Sequence, residues 1–205
     1  MTGDEVLKRR GLLKLGARKA VEITTRAAAR QAAREAENWI RPPFAAEELD
    51  FLLNCPRCDK CIEGCPHGVL FKLPAKWGVK AAGTPAMDLR VRGCHLCEDW
   101  PCVAACEPQA LKLPDVDGMP PPEAVKLARV TINTKTCLPY LGPECGACAG
   151  SCPLPGALEW QGPKPVINED ICTGCALCRE ACIVEPKAIE VSAFVPEDEE
   201  MAENP

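Results

Sequence analysis

Bulky side chains are scarce in this sequence: four Trp, four Phe and one Tyr make up 4% of 205 residues. Hydrophobic residues reach 47%, but Ala and Cys supply much of that share. Little bulky side chain is left with which to build a core, and something else must hold the fold. No stretch approaches the ~18 consecutive apolar residues of a membrane span, so the chain reads as soluble or peripheral. No Gly-rich phosphate cradle or dinucleotide fingerprint is present. A chain of this length makes one large domain or two small ones.

What the sequence has instead is sixteen cysteines, close to the density at which disulfides or metals replace a weak core. They fall into four groups of four, an internal repeat of a metal-binding unit. Group one is Cys55, Cys58, Cys61 and Cys65, followed by Pro66. Gaps of two, two and three residues before a proline are the bacterial ferredoxin run. Group four, Cys172, Cys175, Cys178 and Cys182, repeats the spacing with Ile183 in the proline's place. Group two, Cys94, Cys97, Cys102 and Cys106, widens the second gap. Group three, Cys137, Cys145, Cys148 and Cys152 with Pro153, widens the first.

The spacing has a physical cause. Three thiolates reach three irons of one compact cube only if the backbone curls around it, and two-residue gaps aim successive sulfurs inward. In two-cluster ferredoxins the fourth cysteine reaches the other cluster. Structural zinc usually takes separated pairs, and disulfides give no reason for repeated fours. Sixteen thiolates therefore predict four 4Fe-4S clusters, with all sixteen cysteines as iron ligands. No thiol is left over as a nucleophile and no iron is left open to a small-molecule substrate, so the expectation is an electron carrier and not an enzyme. His67 and His95 are the only histidines; His95 lies between two ligands but reads as a surface side chain.

Short strands are expected after the fourth cysteines at Ala110 to Leu113, Ala157 to Trp160 and Ala188 to Val191, and before groups three and four at Arg129 to Ile132 and Pro165 to Ile167. Strand, cluster loop, short helix, strand predicts an α+β fold of two bacterial-ferredoxin-like modules with cluster-binding loops, spanning 41–195. Leu113 to Ala124, with four prolines and a glycine, reads as a loop. A long basic helix precedes the modules over 1–40, with small and apolar residues at three- and four-residue spacing and Lys14, Arg18, Arg26, Arg30 and Arg34 on another row. Such a helix either packs, solvated, on the body or docks peripherally on an anionic membrane or acidic partner. Arg41-Pro42-Pro43 closes it. The acidic tail, 196–205, is expected to be disordered.

The formal charge is −5. Four oxidised cubes with thiolate ligands add roughly −8, which excludes nucleic acid as a partner. Residues Lys8 to Lys14 look like a twin-arginine export motif, but Arg18, Lys19, Glu22 and Arg26 interrupt the apolar segment an export signal needs. The cytoplasm or the cytoplasmic face of the membrane is therefore expected, with the periplasm by twin-arginine export as the alternative.

From Arg41 onward the chain resembles the NapG/MauM family of ferredoxin-type proteins. The residues that carry the resemblance are Arg41-Pro42-Pro43, Cys94 to Cys102 with His95, Glu98, Asp99, Trp100 and Pro101, Cys137 to Cys145 with Tyr140, Gly142 and Pro143, and Asp170 to Cys175. The resemblance implies four 4Fe-4S clusters. It also implies a relay of electrons between a quinol-linked membrane partner and a redox enzyme, or an accessory role in maturing a client enzyme. Similarity to four-cluster electron-transfer subunits implies that group two pairs with group three and group one with group four; sequential pairing, one with two and three with four, is the rival.

Overall fold

In a computed structural model the backbone is described for residues 3–37 and 39–193, and side chains for Lys19, 21–37 and 39–193. The acidic tail and the side chains of the Lys8 to Lys14 motif lie outside the described residues. Helix α1 (Gly3–Ala36) comes first. Val21 and Ile23 on it are exposed, whereas Ala32 is buried and Ala36 packs against the buried cluster of Trp39, Leu73, Ala81 and Ala86. Among the described residues no helix is long and apolar enough to cross a membrane.

Arg41 then anchors the chain. Its guanidinium donates twice to the Glu48 carboxylate, at 2.6 and 2.9 Å, and once each to Thr84 Oγ1 and the Pro85 carbonyl. It lies 4.5 Å from the ring centre of Phe51 and 5.3 Å from that of Trp39. Two prolines follow, so the backbone there offers few amide donors and the side chain does the tying. Glu48 opens helix α2 (Glu48–Asn54), where a carboxylate also favours the positive end of the helix.

Helix α3 (Lys60–Glu63) carries Cys61 inward, and strands β1 (Leu70–Lys72) and β2 (Pro85–Met87) form an antiparallel pair with Leu70 opposite Met87. Their connection contains a single 3-10 turn, Ala75–Trp77. Helix α4 (Pro101–Ala104) holds Cys102 and Val103 in the core behind Trp100, whose indole N–H donates to Pro120 and whose ring meets Phe44 edge-on at 4.8 Å.

The second half begins with β3 (Ala128–Ile132), which pairs antiparallel with the last strand, β6 (Ile189–Ala193), Val130 opposite Val191. Between them lie α5 (Leu138–Leu141), the hairpin of β4 (Leu158–Gln161) and β5 (Lys164–Ile167), and α6 (Leu177–Ala181). Gly162 at φ +63° opens the two-residue hairpin loop, where a positive φ matches the strand twist. Among the described residues the architecture is α+β: one long helix, several short ones and three separate two-stranded sheets.

Four of the five expected strands are present within a residue or two. The fifth, Ala110 to Leu113, is not a strand. Leu111 forms only an isolated bridge to Ala45, because its neighbour is the irregular segment after Pro43, where Phe44 has a positive φ and no ladder can extend. The β1–β2 pair, α2 and the 3-10 turn within the Pro-rich loop, Pro122–Ala124, were not anticipated.

Candidate functional site: four cysteine quartets

The sixteen thiols gather into four quartets, each made of three cysteines from one sequence group and the fourth from its neighbour. Cys55, Cys58, Cys61 and Cys106 line one apolar hollow, walled otherwise mainly by Phe51, Pro85, Ala110 and Leu111. Cys137, Cys145, Cys148 and Cys182 line another, against Ile132, Leu138, Trp160 and Ile189. The other two quartets are Cys94, Cys97, Cys102 with Cys65, and Cys172, Cys175, Cys178 with Cys152, the thiols whose charges bear on one another. Quartets one and two thus exchange Cys106 and Cys65, and quartets three and four exchange Cys182 and Cys152.

This is the sequential pairing. The expectation that group two pairs with three and group one with four is overturned. The short segment between Cys152 and Cys172 folds back on itself as the β4–β5 hairpin, and β3 pairs with β6, so groups three and four face one another and Cys182 joins the third group's hollow.

Backbone geometry prepares three of the four loops for negative charge. The second residue after the first cysteine is left-handed in three groups: Arg57 at φ +61°, Leu96 at +50° and Gly174 at +76°. In each, the N–H of that residue donates to the first thiol, of Cys55, Cys94 and Cys172, and favours the thiolate. Successive amides aimed into a concavity form such an anion cradle. For Arg57 and Leu96 the left-handed conformation costs of order 1–3 kcal/mol, a strain that a bound, negatively charged group offsets. Gly174 has no alternative, since a Cβ there would stand 2.0 Å from the Ala128 carbonyl oxygen.

Burial opposes the amides. It pushes Cys94 up to about 12, with the charges of Cys175, Cys97 and Cys65 adding to the shift. Burial likewise raises Cys102 and Cys178 to about 12 and Cys61 and Cys175 to about 11, and neighbouring thiols raise them further. Thiols packed this closely stay protonated at neutral pH unless something cationic takes the protons' place. Among the described residues no three or more His, Cys, Asp or Glu side chains converge at the spacing of a single metal ion. Four soft sulfur donors around an apolar hollow, not converging at the spacing of a single ion, suit a polynuclear thiolate-bound cluster better than one ion.

The quartets form a row. Cys102 is acted on by Cys61 of the first quartet, and the Cys94 N–H donates to the Cys175 carbonyl at 2.7 Å, joining the second quartet to the fourth. Around that junction the Gly93 N–H donates to Glu180 and the Arg179 guanidinium to the Arg90 carbonyl. The order along the molecule is therefore quartet one, two, four, three. His67 and His95 stack face to face with centroids 3.5 Å apart. Burial lowers the His95 pKa, with His67 next as a cause. That stack was not legible in the sequence, where the two histidines are far apart.

No family model and no solved structure matches the chain. Curated relatives do. It is 38% identical to a methylamine utilization ferredoxin-type protein MauM of Paracoccus denitrificans, over 74% of this chain and 70% of that one. It is 31% identical to the ferredoxin-type protein NapG of Escherichia coli, over 78% and 73%, and 33% identical to NapF of the same organism, over 74% and 84%. With its cysteines gathered in interlocked quartets and these relatives across most of its length, the chain belongs to the NapG/MauM family of ferredoxin-type proteins.

Proposed function

We propose that the protein relays electrons through four 4Fe-4S clusters, one per quartet, between a donor, a quinol-linked membrane partner, and an acceptor redox enzyme. The observation that supports this most is the continuous row of quartets, interlocked in pairs by exchanged cysteines and joined in the middle at Cys94 and Cys175. The clusters, when bound, supply one-electron chemistry. The chain supplies the sixteen thiolates, amide donors beside them and an apolar surround, which together tune the potentials. Residues 41–195 act as two dicluster modules in this reading, and the basic segment before them serves peripheral membrane contact. The interrupted export motif favours the cytoplasmic face, and cell fractionation tests that placement.

Iron and acid-labile sulfide should each approach sixteen per chain, which is four of each per cube; values near eight overturn the four-cluster assignment. Cys55, Cys61, Cys102 and Cys175 lie inside the buried core with Phe51, Leu89 and Trp100, so chelation or oxidation of the clusters should unfold the body. A cooperative folded state without iron contradicts that.

A further inference from the structure

Of the sixteen cysteines, Cys58 alone is exposed. It belongs to quartet one, at the end of the row. The quartet at the opposite end has two buried and two half-buried cysteines. An electron entering or leaving at quartet one therefore meets the least intervening protein at Cys58.

The neighbouring residue builds a surface around that opening. Arg57 Nη2 donates to the Lys80 carbonyl at 2.7 Å and Nε to that of Ala82 at 2.9 Å, clamping the connection between β1 and β2 against the mouth of the quartet. Gly83 lies under the same side chain, where a Cβ would meet Arg57 Cδ at 3.3 Å. The clamped segment shows solvent an apolar residue that folding alone does not use, Val79, which is 86% exposed, and beside it the partly exposed ring of Trp77. Lys76 and Lys80 flank them. Lys60 and Lys72 close to the same quartet are neutralised by Glu107 and Asp59, but among the described residues neither the Lys76 nor the Lys80 ammonium pairs with a carboxylate; Lys76 rests 5.9 Å from the Trp77 ring centre.

We propose that Lys76, Trp77, Val79 and Lys80, together with Cys58, form the docking surface for an acidic redox protein, which exchanges electrons with quartet one. An exposed apolar centre with an aromatic and a charged rim is the anatomy of a protein interface. On a chain of net charge −5, two unpaired cations on the segment that Arg57 ties down next to Cys58 orient an acidic partner and repel a basic one. The proposal rests on the electron-relay reading. One electron passes from the reduced partner to the cluster held by quartet one, oxidising the first and reducing the second, with no bond made or broken.

The test uses the cluster-loaded chain and an acidic flavodoxin in its hydroquinone form, mixed anaerobically while cluster bleaching is followed. The wild-type rate should fall steeply with added salt. K76E/K80E should be about tenfold slower at low ionic strength and converge on wild type at high salt. V79D should be slower at every salt concentration, because an apolar contact is not screened. A double variant as fast as wild type, or a wild-type rate indifferent to salt, overturns the proposal. So does a variant that keeps its flavodoxin rate but no longer sediments with phosphatidylglycerol-containing vesicles, which would give the patch to lipid. Lysine-dependent self-association in sedimentation equilibrium, with the flavodoxin rate unchanged, would give it to a second copy of the chain. These failures are separate from failure of the relay itself: iron and sulfide content and dithionite bleaching of the same samples report on that reading alone, and both variants should match wild type in them.

Discussion

The N–H of Cys94 donates to the carbonyl of Cys175 across 2.7 Å, and through that bond the first cysteine of group two touches the second cysteine of group four. Two interlocked pairs of quartets become one row at this point. Gly93 permits the approach: a Cβ there would lie 2.8 Å from the Leu177 nitrogen and 2.9 Å from its Cα. The obstacle is backbone, which cannot rotate aside.

Gly93→Ala should therefore open the junction while leaving both quartet pairs intact. Iron content should hold, stability to urea should drop by about 1–3 kcal/mol, and magnetic coupling between the inner clusters in the EPR spectrum of the fully reduced protein should weaken. Undiminished coupling would show that the two halves meet elsewhere.

Exchange of the fourth cysteines makes a prediction about pairs of variants. Cys106→Ser should perturb the same EPR signal as Cys55→Ser, and Cys65→Ser the same signal as Cys94→Ser. Were each sequence group to hold its own cluster, Cys65→Ser would instead match Cys55→Ser. Serine replaces a soft donor with a harder one, so the affected signal should shift or vanish and leave the others unchanged.

Arg41 and Glu48 form an ion pair whose side chains are 11% and 7% exposed. Arg41→Met leaves the carboxylate buried without its partner, and should cost about 3–5 kcal/mol in denaturant unfolding of the loaded protein. Adding Glu48→Leu should recover part of that. Recovery stays incomplete because Arg41 also donates to Thr84 and Pro85.

The thiol pKa values give the cluster-free chain a distinct pH dependence. In the unfolded chain a thiol ionises near 8.5, whereas in the folded chain burial raises Cys94, Cys102 and Cys178 to about 12. Between those values the folded state holds more protons than the unfolded one, so its stability falls as pH rises. Any native-like structure left after iron removal should be lost from about pH 8.5 upward, by circular dichroism. The loaded protein should resist the same titration, because its thiolates are already committed to iron.

Particular residues show how far sequence reasoning reached. The four cysteine groups stand out because ligand spacing is a local property: three sulfurs that share one hollow must be close in the chain. Strands β3 and β6 were legible for a similar reason, since Val130 and Val191 alternate with polar neighbours. The exchange of Cys65 with Cys106 and of Cys152 with Cys182 follows the ferredoxin pattern, but which groups exchange is a matter of chain path. The β1–β2 pair escaped notice because three residues per strand carry almost no periodicity. Arg57 and Leu96, left-handed without being glycine, gave no sign of it in the sequence.

By itself, the sequence determined the four groups of four spaced cysteines and the family they point to, because those depend on residue type and on distance along the chain. The tertiary structure alone decided that group one faces two and three faces four, that the row runs one, two, four, three, and that Cys58 is the open thiol. Those facts depend on where a hairpin turns back and on which backbones come close enough to leave no room for a Cβ, and neither can be read from spacing.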